Sequence, residues 1–392
     1  MADTAAHSDS TLEAAIALGP EIRAAVGEID RGRRLTDHIV SRMKTAGVFR
    51  MTMPRAWGGP ELDPMTQMRV IEEIARADGS AGWCAMINSD GGYFTAYLDQ
   101  DIAREMYRDL DAPTGSQLVF SGQAEAVSGG YRVSGQWPFV SGCQHCDWIL
   151  VGVNLIENGA PRLRPDGGPE RTVCFIRRDE GQVVDTWRTT GLRGSGSHDF
   201  AVKDLFLPAE RAYGFPSRPR RDGALYAFPM MFAYNVPGVA LGIARNAIDT
   251  FVEIADHKVV TTSMLSARKL MLRDEGYVQS IVARAEGLIG SARGYAYDQL
   301  ADIWRTVLAG DAPSPRQRAL YRIAISHTHE ACVEAVEMLY KAYGGSAVYE
   351  SGPLDRHLRD IITINQHTIG SLKVYETAGK VLLGLGLREP MF

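Results

Sequence analysis

Two polar residues stand where apolar patterns stop, and each could do chemistry. Ser141 follows the run Gly135–Val140 (GQWPFV) and precedes Gly142. A hydroxyl there either caps the turn at a strand end or faces a ligand. His367 lies just past the helical stretch Leu354–Ile364, in Asn365-Gln366-His367-Thr368. Its imidazole is either a satisfied helix-end partner or an acid–base group. Cys143-Gln-His-Cys146 has the spacing of a redox or zinc half-site, but no second pair follows, and a tight turn is the simpler reading. His327 and His329, two apart on a predicted helix, do not share the face that a metal pair needs. His357 reads as a helix-surface residue, and His198 lies just after a Gly-Ser-Gly-Ser loop that contains Ser195. No metal site is expected.

The chain that must position these groups has 392 residues, too many for one ordinary core, so two or three packed subdomains are expected. A net charge of -5 with mixed signs offers no basic stripe for nucleic acid and no polybasic arm for a membrane. No apolar run reaches the roughly 18 residues that span a bilayer, and Met1 to Thr11 lacks the pattern of a signal peptide, so a cytoplasmic protein is expected. Five cysteines, an odd number, argue against a disulfide framework.

Residues 1–115 read as helical, from the spacing of Leu12, Ile16, Ile22, Val26 and Ile29 and of Met68, Ile71, Ile74 and Ala75. Between those two stripes Met53–Pro60 is a Gly/Pro loop. Residues 116–222 turn to period two and β-branching, as in Trp148-Ile-Leu-Val-Gly-Val and Thr172-Val-Cys-Phe-Ile, which predicts a small β domain. Residues 223–392 return to helical spacing, with Val239, Ile243, Ile248 and Val252 first and Val278, Ile281, Ala285 and Ile289 next. The predicted class is α+β, mainly α: helical domain, small β domain, helical bundle.

That order, together with seven motifs along the chain, resembles the acyl-CoA dehydrogenase superfamily. The motifs are Pro54–Asp63 (PRAWGGPELD), Gly79-Ser-Ala-Gly-Trp83, Gly135–Trp148, Trp187–Asp199 with Asp204–Pro208, the helix start Gly238–Phe251, Tyr343-Gly-Gly345, and Arg359–His367. More narrowly the chain is similar to the oxygenase branch of two-component flavin-dependent monooxygenases, which includes p-hydroxyphenylacetate, secosteroid-phenol and dibenzothiophene oxygenases. In the dehydrogenases the Arg-Asp helix end leads to a catalytic Glu, whereas here Thr368 stands at that place beside His367.

The resemblance implies an acyl-CoA dehydrogenase-like fold with a C-terminal four-helix bundle. It also implies an enzyme that uses reduced flavin (FMNH2 or FADH2) and O2 to oxygenate an aromatic or heterocyclic substrate through a C4a-hydroperoxyflavin. No complete Gly-x-Gly-x-x-Gly opens a strand–turn–helix unit, so a separate NAD(P)H:flavin reductase is expected. Phe139 is expected to stack on the flavin, Ser141 to bond N5 beside Gly142, and His367 to position or move a proton. Trp83 either lines the ring or is core. Ser195 and Arg268 are expected on the cofactor, as are Gly344 and Gly345 from a second subunit of a homotetramer, although a Gly-Gly pair serves equally as a helix cap. Phe228, Met231 and Tyr234, from the stripe Leu225–Tyr234 (LYAFPMMFAY), form a pocket wall or core; as a wall they suit a small apolar or aromatic substrate. Asn88 and His198 are further substrate-side candidates. The phenol hydroxylases carry a substrate-holding His where Gly91 stands here, which speaks against simple phenol ortho-hydroxylation. The competing readings are an acyl-CoA dehydrogenase with a relocated base such as Glu253, and a non-catalytic member of the fold.

Overall fold

The computed structural model describes residues 2–263 and 266–386, with side chains over 10–260 and 269–386. Helices α1 (Ala2–Gly32), α2 (Asp37–Thr45), α3 (Pro64–Ala77), α4 (Gly79–Asn88), α5 (Gly91–Thr95) and α6 (Gln100–Met106) come first. The strands follow as β1 (Thr114–Val127), β2 (Gly130–Val140), β3 (Trp148–Glu157), β4 (Ala160–Pro161), β5 (Arg171–Arg177), β6 (Gln182–Val184), β7 (His198–Pro208) and β8 (Ala212–Phe215). After α7 (Ala224–Ala227) and α8 (Pro237–His257) comes a hairpin of β9 (Val259–Ser263) and β10 (Ser266–Met271). The long helices α9 (Gly276–Leu308) and α10 (Pro315–Tyr343), then α11 (Pro353–Ile364) and α12 (Lys373–Leu382), complete the described chain.

The chain divides into two compact units. The first runs from the N-terminus to Val70 and adds Trp83–Thr189 and Arg193–Phe232; the second takes Ile71–Gly82, Thr190–Leu192 and the chain from Ala233 on.

In the first unit the sheet runs β6-β7-β2-β1-β3-β5-β8, with β4 on the end of β3; β1 and β3 are parallel and the other pairs antiparallel. Strand alternation sends Ile149, Val151 and Val153 to one face, with Trp137, Val140 and Phe200. It sends Trp148 and Leu150 to the other, where Phe94, Leu98 and Tyr107 of the N-terminal helices cover them. Both faces are buried, which is why β3 reads as a continuous apolar run.

The second unit packs α8, α9, α11 and α12 around α10. Ser314 opens α10 with a capping box: its hydroxyl accepts from the Gln317 amide and the Gln317 side chain returns to the Ser314 N–H.

The periodic stripes hold with local shifts. In α1 the buried face is Ala15, Leu18, Ile22, Val26 and Ile29, while Ile16 is 52% exposed, one position off the stripe. In α8 Phe251 is buried and Val252 turns outward. His357, read as a surface residue, is buried on α11 with its Nε2 at 3.4 Å from the Thr250 hydroxyl, because that face of α11 packs on α8. The β9–β10 hairpin interrupts the helical region where no turn signal separated two clean strands.

Candidate active site

In the first unit the end of β2 is held from several sides. Phe139 has a positive φ of 61°, which costs a bulky residue roughly 1–2 kcal/mol. The residue is 62% exposed, and its ring stands edge to face with that of Trp187, centroids 6.1 Å apart.

Two residues on, the Ser141 hydroxyl is buried. It accepts from Trp83 Nε1 at 2.8 Å and shares a proton with Ser197 Oγ at 2.8 Å, which in turn bonds Ser195 Oγ at 2.8 Å. An indole N–H only donates, so one acceptor position of Ser141 is filled by Trp83. One donor or acceptor position is then left after Ser197 takes its share.

The backbone behind that hydroxyl is pinned as well. Asn88 is fully buried; its amide donates to the Ser141 carbonyl at 3.1 Å, and its Oδ1 accepts from His145 Nε2 at 3.0 Å. Burial, then the charges of Arg34 and Lys44, lower the His145 pKa to about 4, so the ring is neutral and carries the proton that Asn88 accepts. Gly142, at φ 70°, donates to the Ser195 carbonyl at 2.9 Å. A side chain there would run into Asn88 Oδ1 and come within 2.8 Å of His145 Nε2, so only glycine fits.

Cys143 and Cys146 sit in this same turn as buried thiols whose pKa values burial pushes up, to about 12 for Cys143. Among the described residues no cluster of His, Cys, Asp or Glu could hold a metal. His198 is 2% exposed and its Nδ1 accepts from the Thr186 and Trp187 amides at 3.2 and 3.1 Å, which fixes the segment carrying Trp187. Phe228 is half-buried, and Met231 is fully buried.

The second unit holds His367 at the mouth of a short 3-10 turn, Thr368–Gly370. Its Nδ1 accepts from the Ile369 amide at 3.4 Å. His367 is an exposed residue, while desolvation against the protein, then the Arg322 guanidinium, lowers its pKa. Behind the turn lies His329 of α10, fully buried.

Seven residues before His367, Asp360 is buried with its Oδ1 accepting the Leu192 amide at 2.6 Å, and burial, then the charge of Asp78, pushes its pKa up to about 7. Arg359 donates to the Thr190 carbonyl, so α11 grips residues 190–192 at two points. Tyr234 is fully buried against Tyr321, with ring centres 4.6 Å apart. Gly344 is the C-cap of α10 and Gly345 continues into the following 3-10 turn, where Lys258 bonds the Tyr343 carbonyl at 2.6 Å. The Arg268 side chain lies outside the described residues.

Of the expected site residues, the first unit therefore brings together Trp83, Ser141, Gly142, Ser195 and Asn88. Asn88 acts there as an internal brace, its amide nitrogen and oxygen both engaged within the protein. Ser197 and His145 complete this cluster; Ser197 went unread in the sequence, and His145 was read only as part of the Cys143–Cys146 turn. Their only signal was position: Ser197 is two residues from Ser195, and His145 is three from Gly142. His329, read only as a metal-pair candidate that shares no face with His327, packs against Gly370, and nothing local ties those two positions.

Comparison with known proteins gives two family-model matches. The model described as acyl-CoA dehydrogenase, N-terminal domain, matches residues 14–100, and that described as acyl-CoA dehydrogenase, C-terminal domain, matches residues 236–371. An indole-3-acetate monooxygenase of Pseudomonas putida is 31% identical over 372 residues, covering 93% of this chain and 92% of that protein. The oxygenase subunit HsaA of a flavin-dependent monooxygenase from Rhodococcus jostii is 28% identical over 389 residues, covering 96% and 98%. Among solved structures, XiaF from a Streptomyces species in complex with FADH2 and glycerol shares the fold with a TM-score of 0.90 at 23% identity, covering 100% of this chain and 99% of that one.

Proposed function

The chain belongs to the acyl-CoA dehydrogenase family, and from that premise we propose that it is the oxygenase component of a two-component flavin-dependent monooxygenase acting on an aromatic or heterocyclic substrate. The observation that carries the reading is the end of β2. An exposed, strained Phe139 adjoins a buried Ser141 hydroxyl with one hydrogen-bonding position to spare. A flavin fits that pairing, since its ring needs a flat apolar surface and its N5 needs one polar partner.

Reduced flavin, when bound, supplies both electrons for oxygen activation. The chain's own residues hold and shield it. Phe139 and Trp187 would offer the ring surface and Ser141 would hold its polar N5 edge, while Trp83 with Ser197 fixes where the Ser141 hydroxyl points. Asn88, His145 and Gly142 keep the Ser141 backbone in place, so the hydroxyl needs no reorganisation when the flavin arrives. His367, in the second unit, is kept as a candidate acid–base or positioning residue.

Dehydrogenation of an acyl thioester needs a carboxylate base, and from Ile361 to Tyr375 there is no Asp or Glu. Glu253, the base considered for that reading, is exposed on α8. A separate flavin reductase as electron donor, a homotetramer and a cytoplasmic location complete the proposal. In support, the HsaA relative is an oxygenase subunit, and among the described residues no helix is long and apolar enough to cross a membrane. Indole-3-acetate heads the substrates to try, on the likeness to the Pseudomonas putida enzyme.

The test is anaerobic titration with FMNH2 and FADH2, followed by mixing with oxygen, with and without indole-3-acetate and other aromatic candidates. Tight binding of reduced flavin, slowed reoxidation and an oxygenated product are expected. Failure to bind reduced flavin, or bleaching of bound oxidised FAD by an acyl-CoA, would reject the oxygenase assignment.

A further inference from the structure

We propose that Arg33 and His198 are positioning residues that take up both backbone groups of Trp187 and so set its ring against Phe139. The proposal deepens the oxygenase reading and rests on it in one respect, that the Phe139–Trp187 surface receives the flavin.

Trp187 lies just past β6, in a segment of the first unit, residues 185–189, that belongs to no strand or helix. Its peptide groups must therefore find partners outside a ladder. The Trp187 N–H donates to His198 Nδ1 at 3.1 Å, beside the Thr186 amide at 3.2 Å. The Trp187 carbonyl accepts from the Arg33 guanidinium at 3.1 Å. The same guanidinium grips Asp185 through two bonds of 2.6 and 2.9 Å, and these hold the Asp185 carboxyl down at about 2. A planar fork on a carboxylate fixes direction as well as distance, unlike most surface ion pairs. Held at both ends of its peptide, Trp187 presents its ring at a right angle to that of Phe139.

Asp185 Oδ1 also lies 3.3 Å from His198 Nδ1. Two amides already donate to that nitrogen, so His198 is the Nε2–H tautomer and an acceptor faces an acceptor there. Arg33, bonded to the same carboxylate oxygen, offsets the repulsion. Burial lowers the His198 pKa against the pull of Asp185, which keeps the ring neutral.

A second observation singles out Arg33. It is the first residue past α1 and has a positive φ of 52°. Helix ends place glycine or asparagine in that conformation, because a longer side chain is strained there. Arg33 keeps the strained position, and its guanidinium bonds run to residues 185 and 187. Glycine at 33 would relieve the backbone and remove the clamp, which separates positioning from stability. Arg188 meets the same Asp185 carboxylate at 3.3 Å but is 75% exposed, and serves as a control for charge alone.

A surface assembled only part of the time weakens apparent affinity by that fraction. If the unclamped Trp187 is in place about a tenth of the time, reduced flavin binds about tenfold more weakly. Ser141, held separately by Trp83 and Ser197, is untouched. The clamp therefore acts on binding, whereas the reoxidation rate of bound flavin stays within about twofold of wild type.

The experiment is fluorine NMR on flavin-free protein labelled with fluorotryptophan, followed by titration with FMNH2 and FADH2. Trp187→Phe identifies the Trp187 signal, and Phe139→Leu shows how it moves when the neighbouring ring is lost. In Arg33→Gly that signal is expected to move the same way while the protein melts within a few degrees of wild type, and flavin affinity is expected to fall about tenfold. His198→Leu should do likewise; His198 is buried, so if that variant does not fold, Arg33→Gly decides alone. An unmoved signal in Arg33→Gly, a moved signal with unchanged affinity, or an equal effect of Arg188→Ala overturns the proposal. If the signals move as expected but wild type binds no reduced flavin, the oxygenase reading fails while the placing of Trp187 stands.

Discussion

Removing the Ser141 hydroxyl tests the construction of the site before any substrate is known. In Ser141→Ala the indole N–H of Trp83 loses a 2.8 Å buried bond, and Ser197 loses one of its two hydroxyl partners. A buried neutral hydrogen bond contributes about 0.5–1.5 kcal/mol net, and leaving a donor unsatisfied costs about 1–3 kcal/mol. Ser141→Ala is therefore expected to lose about 2 kcal/mol, and Trp83→Phe a similar amount plus the small change in ring packing. The double variant removes donor and acceptor together, so the two losses should overlap by about 1 kcal/mol or more. Urea denaturation of flavin-free wild type, both single variants and the double variant gives the coupling. Single losses below about 0.5 kcal/mol, typical of an unremarkable surface site, with a cycle closing to zero, would refute the claim that Trp83 orients Ser141. The same Ser141→Ala protein, mixed with reduced flavin and then oxygen, should reoxidise the flavin at least tenfold faster than wild type, as expected for the loss of one hydrogen bond at N5 worth about 1.4 kcal/mol.

Gly142→Ala should cost about 2 kcal/mol or more and abolish flavin binding, because the new methyl group enters the Asn88–His145 contact at a positive φ; thermal melts and flavin titration check it. Phe139→Gly should leave stability unchanged or raise it by up to about 1 kcal/mol, by relieving the strain at φ 61°, while weakening flavin affinity; a parallel loss of both would argue that the ring is structural. For Asp360 the folded pKa, about 7, lies above the unfolded one. Its contribution is thus fully present below about pH 4 and is lost as pH rises through about 7, with a slope of at most about 1.4 kcal/mol per pH unit. Asp360→Asn, which keeps an oxygen for the Leu192 amide, should flatten that part of the stability–pH profile, and an unchanged profile would show that Asp360 is already ionised in the fold.

By itself the sequence determined the elements and the ends at which chemistry could sit. Period-two runs marked β2, β3 and β5, and helical spacing marked α1, α3, α8 and α9, whereas Ser141 and His367 were singled out by the family resemblance of the motifs around them. Such signals are local: a strand needs only its alternation, and a helix only its stripe. Even there, a residue one place off the stripe, as at Ile16 or Val252, is decided by which face finds a partner. What the tertiary structure decided is who touches whom across the chain. Trp83 and Ser141 are 58 positions apart, Asn88 and His145 are 57, and no periodicity encodes those pairs. Residues 329 and 370 likewise meet only once α10 and the turn after α11 are packed. Hydrogen-bond direction, burial and the resulting charge state depend on those non-local contacts, so the same letters, serine, asparagine and histidine, acquire their separate tasks only in the folded chain.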